Sequence, residues 1–217
     1  MEEFHDKSVQ AIIRIANYAI STREAFHVVL AGGEAPQPIY ARLKEMETDW
    51  NKWHIYFGDE RCLPTSHPER NSLMASSAWI GHVPIPFAQI HAIPAEQGAE
   101  SGAKAYSEML GQVQAFDLVL LGLGEDGHTA SLFPGNEYGE ADDFPAAMAV
   151  QNAPKPPKQR ITLSAWRLSS AKQVFFLVHG KAKQAAVAEW RNGTGLPAGA
   201  IAPTAGVDIM MLQDAYF

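Results

Sequence analysis

One histidine follows an apolar run in a position suited to acid–base chemistry. Asp126, Gly127 and His128 come directly after FDLVLLGLG (116–124). A histidine with the reference pKa of about 6.5 can take a proton from water at neutral pH, and a nearby carboxylate can orient its ring. A lone histidine is often only structural, but the end of a buried strand favours the catalytic interpretation. We predict His128 as a general base and Asp126 as its partner.

A glycine-containing loop is suited to holding an anion. AGGEAP (31–36) follows an apolar run and precedes a helical pattern, so its amides and the helix N-terminus can face a negative group. Gly32 and Gly33 allow close approach of the backbone. The loop lacks the Lys-Ser/Thr pair of a nucleotide P-loop and the glycine pattern of dinucleotide sites. The same residues would also suit a tight strand–helix turn.

A second polar loop, GDERC (58–62), follows another apolar run. Its Arg61 guanidinium suits fork-like recognition of a phosphate or carboxylate. A solvated surface charge run is the alternative interpretation. Cys62 could have a lowered thiol pKa beside Arg61, but no dedicated base lies nearby in the sequence, so we expect a packing residue.

Other candidate nucleophiles and metal ligands carry weaker signals. Ser131 is not in a Gly-x-Ser-x-Gly run and lies in an expected helix start, which favours a capping or packing role. The remaining histidines show no metal-ligand spacing, so we expect no metal. These seven histidines are His5, His27, His54, His67, His82, His91 and His179, and His179 precedes a strand-end glycine.

Alternating apolar runs and amphipathic segments must position these loops. This rhythm predicts an α/β fold with a doubly wound parallel sheet and helices on both faces, and ligands bind such sheets beyond the carboxyl ends of the strands. We expect a long surface loop over the site at 134–159. The predicted strands are 27–31, 53–61 (which runs into the polar loop), 116–124, 160–164 and 173–180, and the predicted helices are 7–20, 36–43, 70–80, 99–112 and 181–191.

Composition limits the class of protein. The chain has 217 residues, of which 47% are hydrophobic and 19% charged, and this excludes general disorder. A net charge of −7 argues against binding to nucleic acid or anionic membranes. One cysteine gives no disulfide framework, and no apolar run reaches the roughly 18 residues of a spanning helix. We expect one cytoplasmic, soluble domain over 1–217.

The segment FDLVLLGLGEDGHTASLFPG (116–135) resembles the signature of 6-phosphogluconolactonases. The resemblance spans nearly the whole chain, since further blocks follow in the family's order. It implies a Rossmann-like three-layer αβα sandwich with a mainly parallel sheet, no cofactor, and hydrolysis of 6-phospho-D-glucono-1,5-lactone to 6-phospho-D-gluconate in the pentose phosphate pathway. We expect a monomer or weak dimer. The further blocks are 28–40, 57–72, 160–164, 174–187 and 196–203.

The resemblance also assigns roles to single residues. Asp126 and His128 fall on the catalytic pair of the Asp-Gly-His motif, and the fifth residue after that histidine is Phe133, where related deaminases carry a glutamate. Ala35 replaces the family's usual hydroxyl residue before the proline. Whether Asp59 touches substrate or braces its loop stays open, as does which cation holds the phosphate. The implied substrate-binding residues are Gly32, Gly33, Asp59, Arg61, Arg160 and Lys183.

These assignments lead to a hydrolytic mechanism, and one alternative function remains. His128 deprotonates water that attacks the lactone carbonyl, and we expect amides of the Gly124–Gly127 turn to stabilise the oxyanion. The 6-phosphate is held by Arg160, Lys183 and the glycine loop, with Arg61 neutralising charge nearby. The rival is a non-catalytic sugar-phosphate sensor, since related folds serve as regulatory binding domains. Retention of the Asp-His pair favours the enzyme.

Overall fold

A five-stranded parallel sheet forms the centre of the protein, which is described here by a computed structural model covering residues 1–215. The strand order is β2-β1-β4-β7-β8, and a separate three-stranded antiparallel sheet has the order β3-β6-β5. The strands are β1 (Phe26–Leu30), β2 (Trp53–Phe57), β3 (Asp59–Arg61), β4 (Phe116–Gly122), β5 (Ala147–Val150), β6 (Arg160–Leu163), β7 (Ala171–Val178) and β8 (Val207–Met211).

Helices cover both faces of the parallel sheet. Adjacent side chains on a strand point to opposite faces, and on β4 the Phe116 ring lies 4.1 Å from the Arg167 guanidinium, while Asp117 binds Arg23 at 2.6 Å. These two arginines belong to α5 and α1, so the sheet is the middle layer of three. The predicted α/β sandwich is confirmed. The helices are α1 (Glu2–Arg23), α2 (Gln37–Leu43), α3 (Asn71–Ala78), α4 (Ala99–Leu110), α5 (Ala165–Ser169) and α6 (Gln184–Arg191).

Apolar patterning accounts for the central elements. The first six residues of β4 are all buried, as expected for a strand covered on both faces. Helix α1 buries Val9, Ile12 and Ala16 at helical spacing and is longer than the predicted 7–20. It ends at Arg23, and the next residue, Glu24, adopts a left-handed conformation with φ of 60°.

The antiparallel sheet corrects two predictions. Residues 59–61 form β3 rather than a polar loop, because their backbone pairs with β6, Asp59 opposite Thr162 and Arg61 opposite Arg160. The segment 134–159 is not loop throughout, because β5 pairs with the other edge of β6. Polar or short strands of this kind depend on a distant partner for their hydrogen bonds.

The segment after His128 also differs from expectation. Ser131 lies in a tight turn rather than at a helix start: the Leu132 amide donates to the Thr129 carbonyl at 2.9 Å, and Ala130 has a φ of 48°. The turn places Ser131 in the interior with 1% exposure. Within residues 1–215, no helix combines the length and apolar character needed to cross a bilayer.

Candidate active site

A cleft of about 500 Å³ opens at the carboxyl ends of β1, β2, β4 and β7. The chain moves from β1 to β2 on one side and from β4 to β7 on the other, so the direction of winding changes between β1 and β4. Ligands in open α/β sheets bind at this kind of switch point. The loops after β1 and β4 are the two that carry the predicted glycine and Asp-Gly-His motifs.

The cleft brings together seven of the eight residues predicted for the site. Asp126, the eighth, lies behind His128 and contacts its ring. The segments that meet here are separated by up to about 150 positions in the chain, so only the fold unites them. The seven lining residues are Gly32, Gly33, Asp59, Arg61, His128, Arg160 and Lys183.

His128 and Asp126 form a hydrogen-bonded pair. His128 Nδ1 lies 2.5 Å from Asp126 Oδ1, and the imidazole is 23% exposed. Burial alone would raise the pKa of Asp126, but the hydrogen bonds and charge of His128 outweigh it and hold that pKa below its ordinary value. Because the pair uses Nδ1, the opposite ring nitrogen, Nε2, is the one left for a water molecule or substrate.

The tight turn after β4 requires glycine. A β-carbon at Gly124 would overlap the His128 ring, and Gly127 has a φ of 80°. The turn closes on itself, since the Gly124 amide donates to the His128 carbonyl at 2.7 Å and the Gly127 amide to the Gly124 carbonyl at 3.1 Å. Of the amides predicted to serve the oxyanion in the Gly124–Gly127 turn, these two are therefore already engaged within the turn. Glu125, between them, lines the cleft.

Free backbone amides of the loop after β1 also line the cleft. Within residues 1–215, the amides of Gly32, Gly33, Glu34 and Ala35 donate to no protein acceptor. Gly33 has a φ of 91°, which a side chain would strain. Unpaired amides in a concave loop form an anion-binding surface, and a side-chain hydroxyl at position 35 is not required for it.

Three cations line the same cleft. Arg160 is 6% exposed, and its Nε and Nη2 atoms donate to carbonyls of residues 155–157. Burial lowers the pKa of Arg160, Asp59 opposes that shift, and Arg61 adds to it. Arg61 donates to the Glu69 carbonyl. Lys183 has no ion-pair partner among residues 1–215 and lines the same cleft.

Three polar residues in or near the cleft were not among the site residues predicted from the sequence. His179 lines the cleft after β7, and the glycine that follows it was the available signal. Asn71 lies in the wall beside Gly32. Glu60 is fully buried rather than solvated, because the amides of Asn71 and Ser72 at the start of α3 donate to its carboxylate at 2.7 and 2.9 Å.

The other candidate nucleophiles and metal ligands find no support in the structure. Burial raises the pKa of the half-buried Cys62 thiol, which disfavours the thiolate. Ser131 donates to Asp59 and is not paired with a histidine. Across the described 215 residues, no three His, Cys, Asp or Glu side chains are grouped as metal ligands.

Comparisons with known proteins agree on one family. The profile of glucosamine-6-phosphate isomerases/6-phosphogluconolactonase matches residues 1–210. The chain is 37% identical over 193 residues to a 6-phosphogluconolactonase of Nostoc sp., covering 84% of this chain and 78% of the relative. It is 39% identical over 180 residues to that of Synechocystis sp., covering 79% and 73%.

A solved structure extends this likeness to the fold. The crystal structure of 6-phosphogluconolactonase from Thermotoga maritima aligns with a TM-score of 0.88 at 28% identity, covering 95% of this chain and 94% of that one. Sequence and structure therefore lead to the same assignment. The chain belongs to the glucosamine-6-phosphate isomerase/6-phosphogluconolactonase family.

Proposed function

We propose that the protein hydrolyses 6-phospho-D-glucono-1,5-lactone to 6-phospho-D-gluconate, the lactonase step of the pentose phosphate pathway. Relatives above 35% identity carry the name of that enzyme. The observation that carries the proposal is the Asp126–His128 pair at the edge of a cleft lined by free amides and cations. Such a cleft combines a base with anion recognition, which is what a phosphorylated lactone requires.

His128 acts as the general base in this account. Its Nε2 takes a proton from water as the water oxygen attacks the lactone carbonyl carbon, and Asp126 stabilises the charged ring. The tetrahedral intermediate then collapses, the bond from that carbon to the ring oxygen breaks, and His128 returns the proton to the departing oxygen. One positioned base supplies roughly a hundred- to ten-thousand-fold acceleration.

One amide of the His128 turn remains for the oxyanion. Gly124 and Gly127 donate within the turn, and the Asp126 amide interacts with its own carboxylate. Glu125 lines the cleft, and its amide has no acceptor among the described residues. We assign the Glu125 amide as an oxyanion donor, which a preorganised backbone N–H suits well.

We assign the phosphate to the glycine loop after β1 and to the cations that line the same cleft. A phosphate would find charge and directed donors in the amides of Gly32 and Gly33, the buried Arg160, and Lys183, which has no ion-pair partner among residues 1–215. Arg61 neutralises further negative charge. Binding of the phosphate at one end of the substrate fixes the lactone carbonyl at the other end near His128.

Phe133 favours lactone hydrolysis over the deaminase reaction. Its buried ring lies 4.9 Å from the His128 ring, and the Arg160 guanidinium lies 5.6 Å from its centre. With an apolar ring here, Asp126 is the one acidic partner of His128 in the part of the chain that the structure describes. The rival sensor function has no observation of its own, since a binding module does not require the Asp126–His128 pair.

Cellular and quaternary properties remain predictions. We expect a single domain over 1–217, a cytoplasmic location, and a monomer or weak dimer that needs no metal or cofactor. The acidic net charge of −7 also disfavours nucleic acid and anionic membranes as partners.

The test is acid release from freshly prepared 6-phosphogluconolactone, measured above the spontaneous rate at the same pH. We expect a catalysed rate proportional to protein concentration and no ammonia from glucosamine 6-phosphate. Acid release equal to the blank would remove the lactonase proposal. Ammonia release from the amino sugar would favour the deaminase instead.

A further inference from the structure

Both carboxylate oxygens of Asp59 are bound by protein groups. Oδ2 accepts a hydrogen bond from Ser131 Oγ at 2.6 Å, and Oδ1 accepts one from Asn71 Nδ2 at 2.9 Å. The exposures of Asp59, Ser131 and Asn71 are 6%, 1% and 4%. Asp59 lines the cleft, and its two bonds go to different segments, the turn after His128 and the start of α3.

The Ser131 bond holds the segment that follows the proposed base. Ser131 lies three residues after His128, and its amide also donates to Thr162 Oγ1 at 3.2 Å. The short turn 129–132 and the closed turn 124–128 therefore form one continuous piece anchored to Asp59. A shift of Ser131 would move the backbone that carries the imidazole.

The Asn71 bond holds the wall beneath the anion loop. The side-chain amide of Asn71 donates to both the carboxylate and the carbonyl of Asp59, each at 2.9 Å. A β-carbon at Gly32 would overlap that side chain. Gly32 is thus packed directly on Asn71, and the position of the loop amides depends on where Asp59 keeps this side chain.

Charge argues against a direct contact between Asp59 and the substrate. The substrate carries a phosphate and gains a carboxylate on hydrolysis, so a carboxylate aimed at either would repel it. Asp59 instead has its lone pairs directed at neutral donors. Of the two roles that the sequence left open for Asp59, this geometry favours the bracing role.

We propose that Asp59 is a positioning residue that holds the base turn through Ser131 and the anion loop through Asn71. The inference rests on the proposed function, and it adds Ser131 and Asn71 to the residues that determine the rate and the affinity. The bond to Ser131 should affect kcat, and the bond to Asn71 should affect KM. Separate variants of Ser131 and Asn71 can therefore distinguish the two effects.

The experiment compares kcat and KM in three variants. Ser131→Ala frees the base turn and should lower kcat at least about tenfold with KM near the parent's, because small misplacements of a catalytic group slow the chemistry. Asn71→Ala should instead raise KM and the dissociation constant of inorganic phosphate several-fold while kcat changes little. Asp59→Asn should change both quantities.

A matched control separates positioning from general damage. Ser164→Ala removes another fully buried hydroxyl, which donates to the Ala146 carbonyl outside the cleft, and should leave kcat and KM at parental values. Rates are normalised to folded protein by circular dichroism. If Asn71→Ala does not fold, Asn71→Ser takes its place.

Parental kcat in Ser131→Ala, or parental KM and phosphate affinity in the Asn71 variant, would overturn the proposal. A uniform fall in kcat across all three variants, with KM unchanged, would also overturn it. If the parent itself hydrolyses no lactone, the proposed function fails. The affinity of the Asn71 variant for inorganic phosphate then tests by itself whether Asp59 positions the anion loop through Asn71. An affinity equal to the parent's would then overturn the positioning role.

Discussion

Gly124 lies so close to His128 that a β-carbon at position 124 would overlap the imidazole ring. The same β-carbon would also lie 2.6 Å from Asp126 Oδ1. The Asp126–His128 pair therefore occupies the space that the missing side chain leaves. Local chain geometry, and not only the choice of the two ionisable residues, determines where the imidazole is held.

A methyl group at that position should impair catalysis more than folding. Gly124→Ala displaces the imidazole, and we expect kcat to fall about a hundredfold, the cost of misplacing a reacting group by about 1 Å. Steady-state kinetics and thermal melting measure the two effects. Gly199→Ala is the control, because a β-carbon there meets only Trp190 atoms at 3.8 Å. Parental turnover in Gly124→Ala would contradict the close packing described here.

The cations of the cleft should control affinity. Arg160→Ala and Lys183→Ala remove charge that binds the phosphate equally in the ground and transition states, so KM should rise with little change in kcat. Inorganic phosphate should compete with substrate in the parent and compete less well in the variants. Lys158→Ala, from an exposed position outside the cleft, is the control. Loss of kcat with unchanged KM would place the phosphate elsewhere.

Asp126 should affect the rate through its contact with His128. The hydrogen bonds and charge of His128 hold the pKa of Asp126 below its ordinary value, which favours the charged carboxylate. Asp126→Asn keeps the size of the side chain but removes the carboxylate that orients the ring. The maximal rate in steady-state kinetics should therefore fall about tenfold or more. A parental rate in Asp126→Asn would contradict the pairing.

A stack of histidines should make stability depend on pH. Burial first, and the neighbouring His54 next, lower the pKa of His27 to about 4, and the ring stacks on His54 at 4.6 Å. Between about pH 6.5 and pH 4, His27 binds a proton in the unfolded chain but stays neutral in the folded protein. Protonation therefore favours unfolding, and Tm should fall as the pH drops through this window. Burial lowers the pKa of His54 and His91 as well.

The same stack supplies a test by substitution. His27→Phe retains an aromatic ring without a titrating group, so the loss of Tm between pH 7 and pH 5 should shrink. His82→Gln removes a histidine from an exposed position and should retain the parental loss. An identical acid-induced fall in the parent and in His27→Phe would show that His27 is not the group responsible.

The sequence predicted those features that depend on neighbouring residues. The run 116–124 contains enough apolar residues to specify a buried strand, and Asp126 and His128 are close enough in the chain to pair without help from the fold. The glycine loop after β1 was predictable in the same way. These features gave the fold class and the two motifs that line the cleft.

Features that depend on distant contacts could not be read in this way. Asp59 is separated from Ser131 by 72 positions and from Asn71 by 12, so nothing local indicates that one carboxylate binds both. In the sequence, Glu60 is typical of an exposed surface charge, but in the fold the start of α3 covers it. The polar strand β3 likewise exists because β6 pairs with it.

The general-base role of His128 is tested most directly by His128→Asn. Asparagine keeps an approximate size and one hydrogen bond, so the fold and the affinity for 6-phosphogluconate should survive. The rate of lactone hydrolysis, taken above a blank at each pH, should fall at least about a hundredfold. A folded His128→Asn protein that hydrolyses the lactone as fast as the parent would contradict the mechanism.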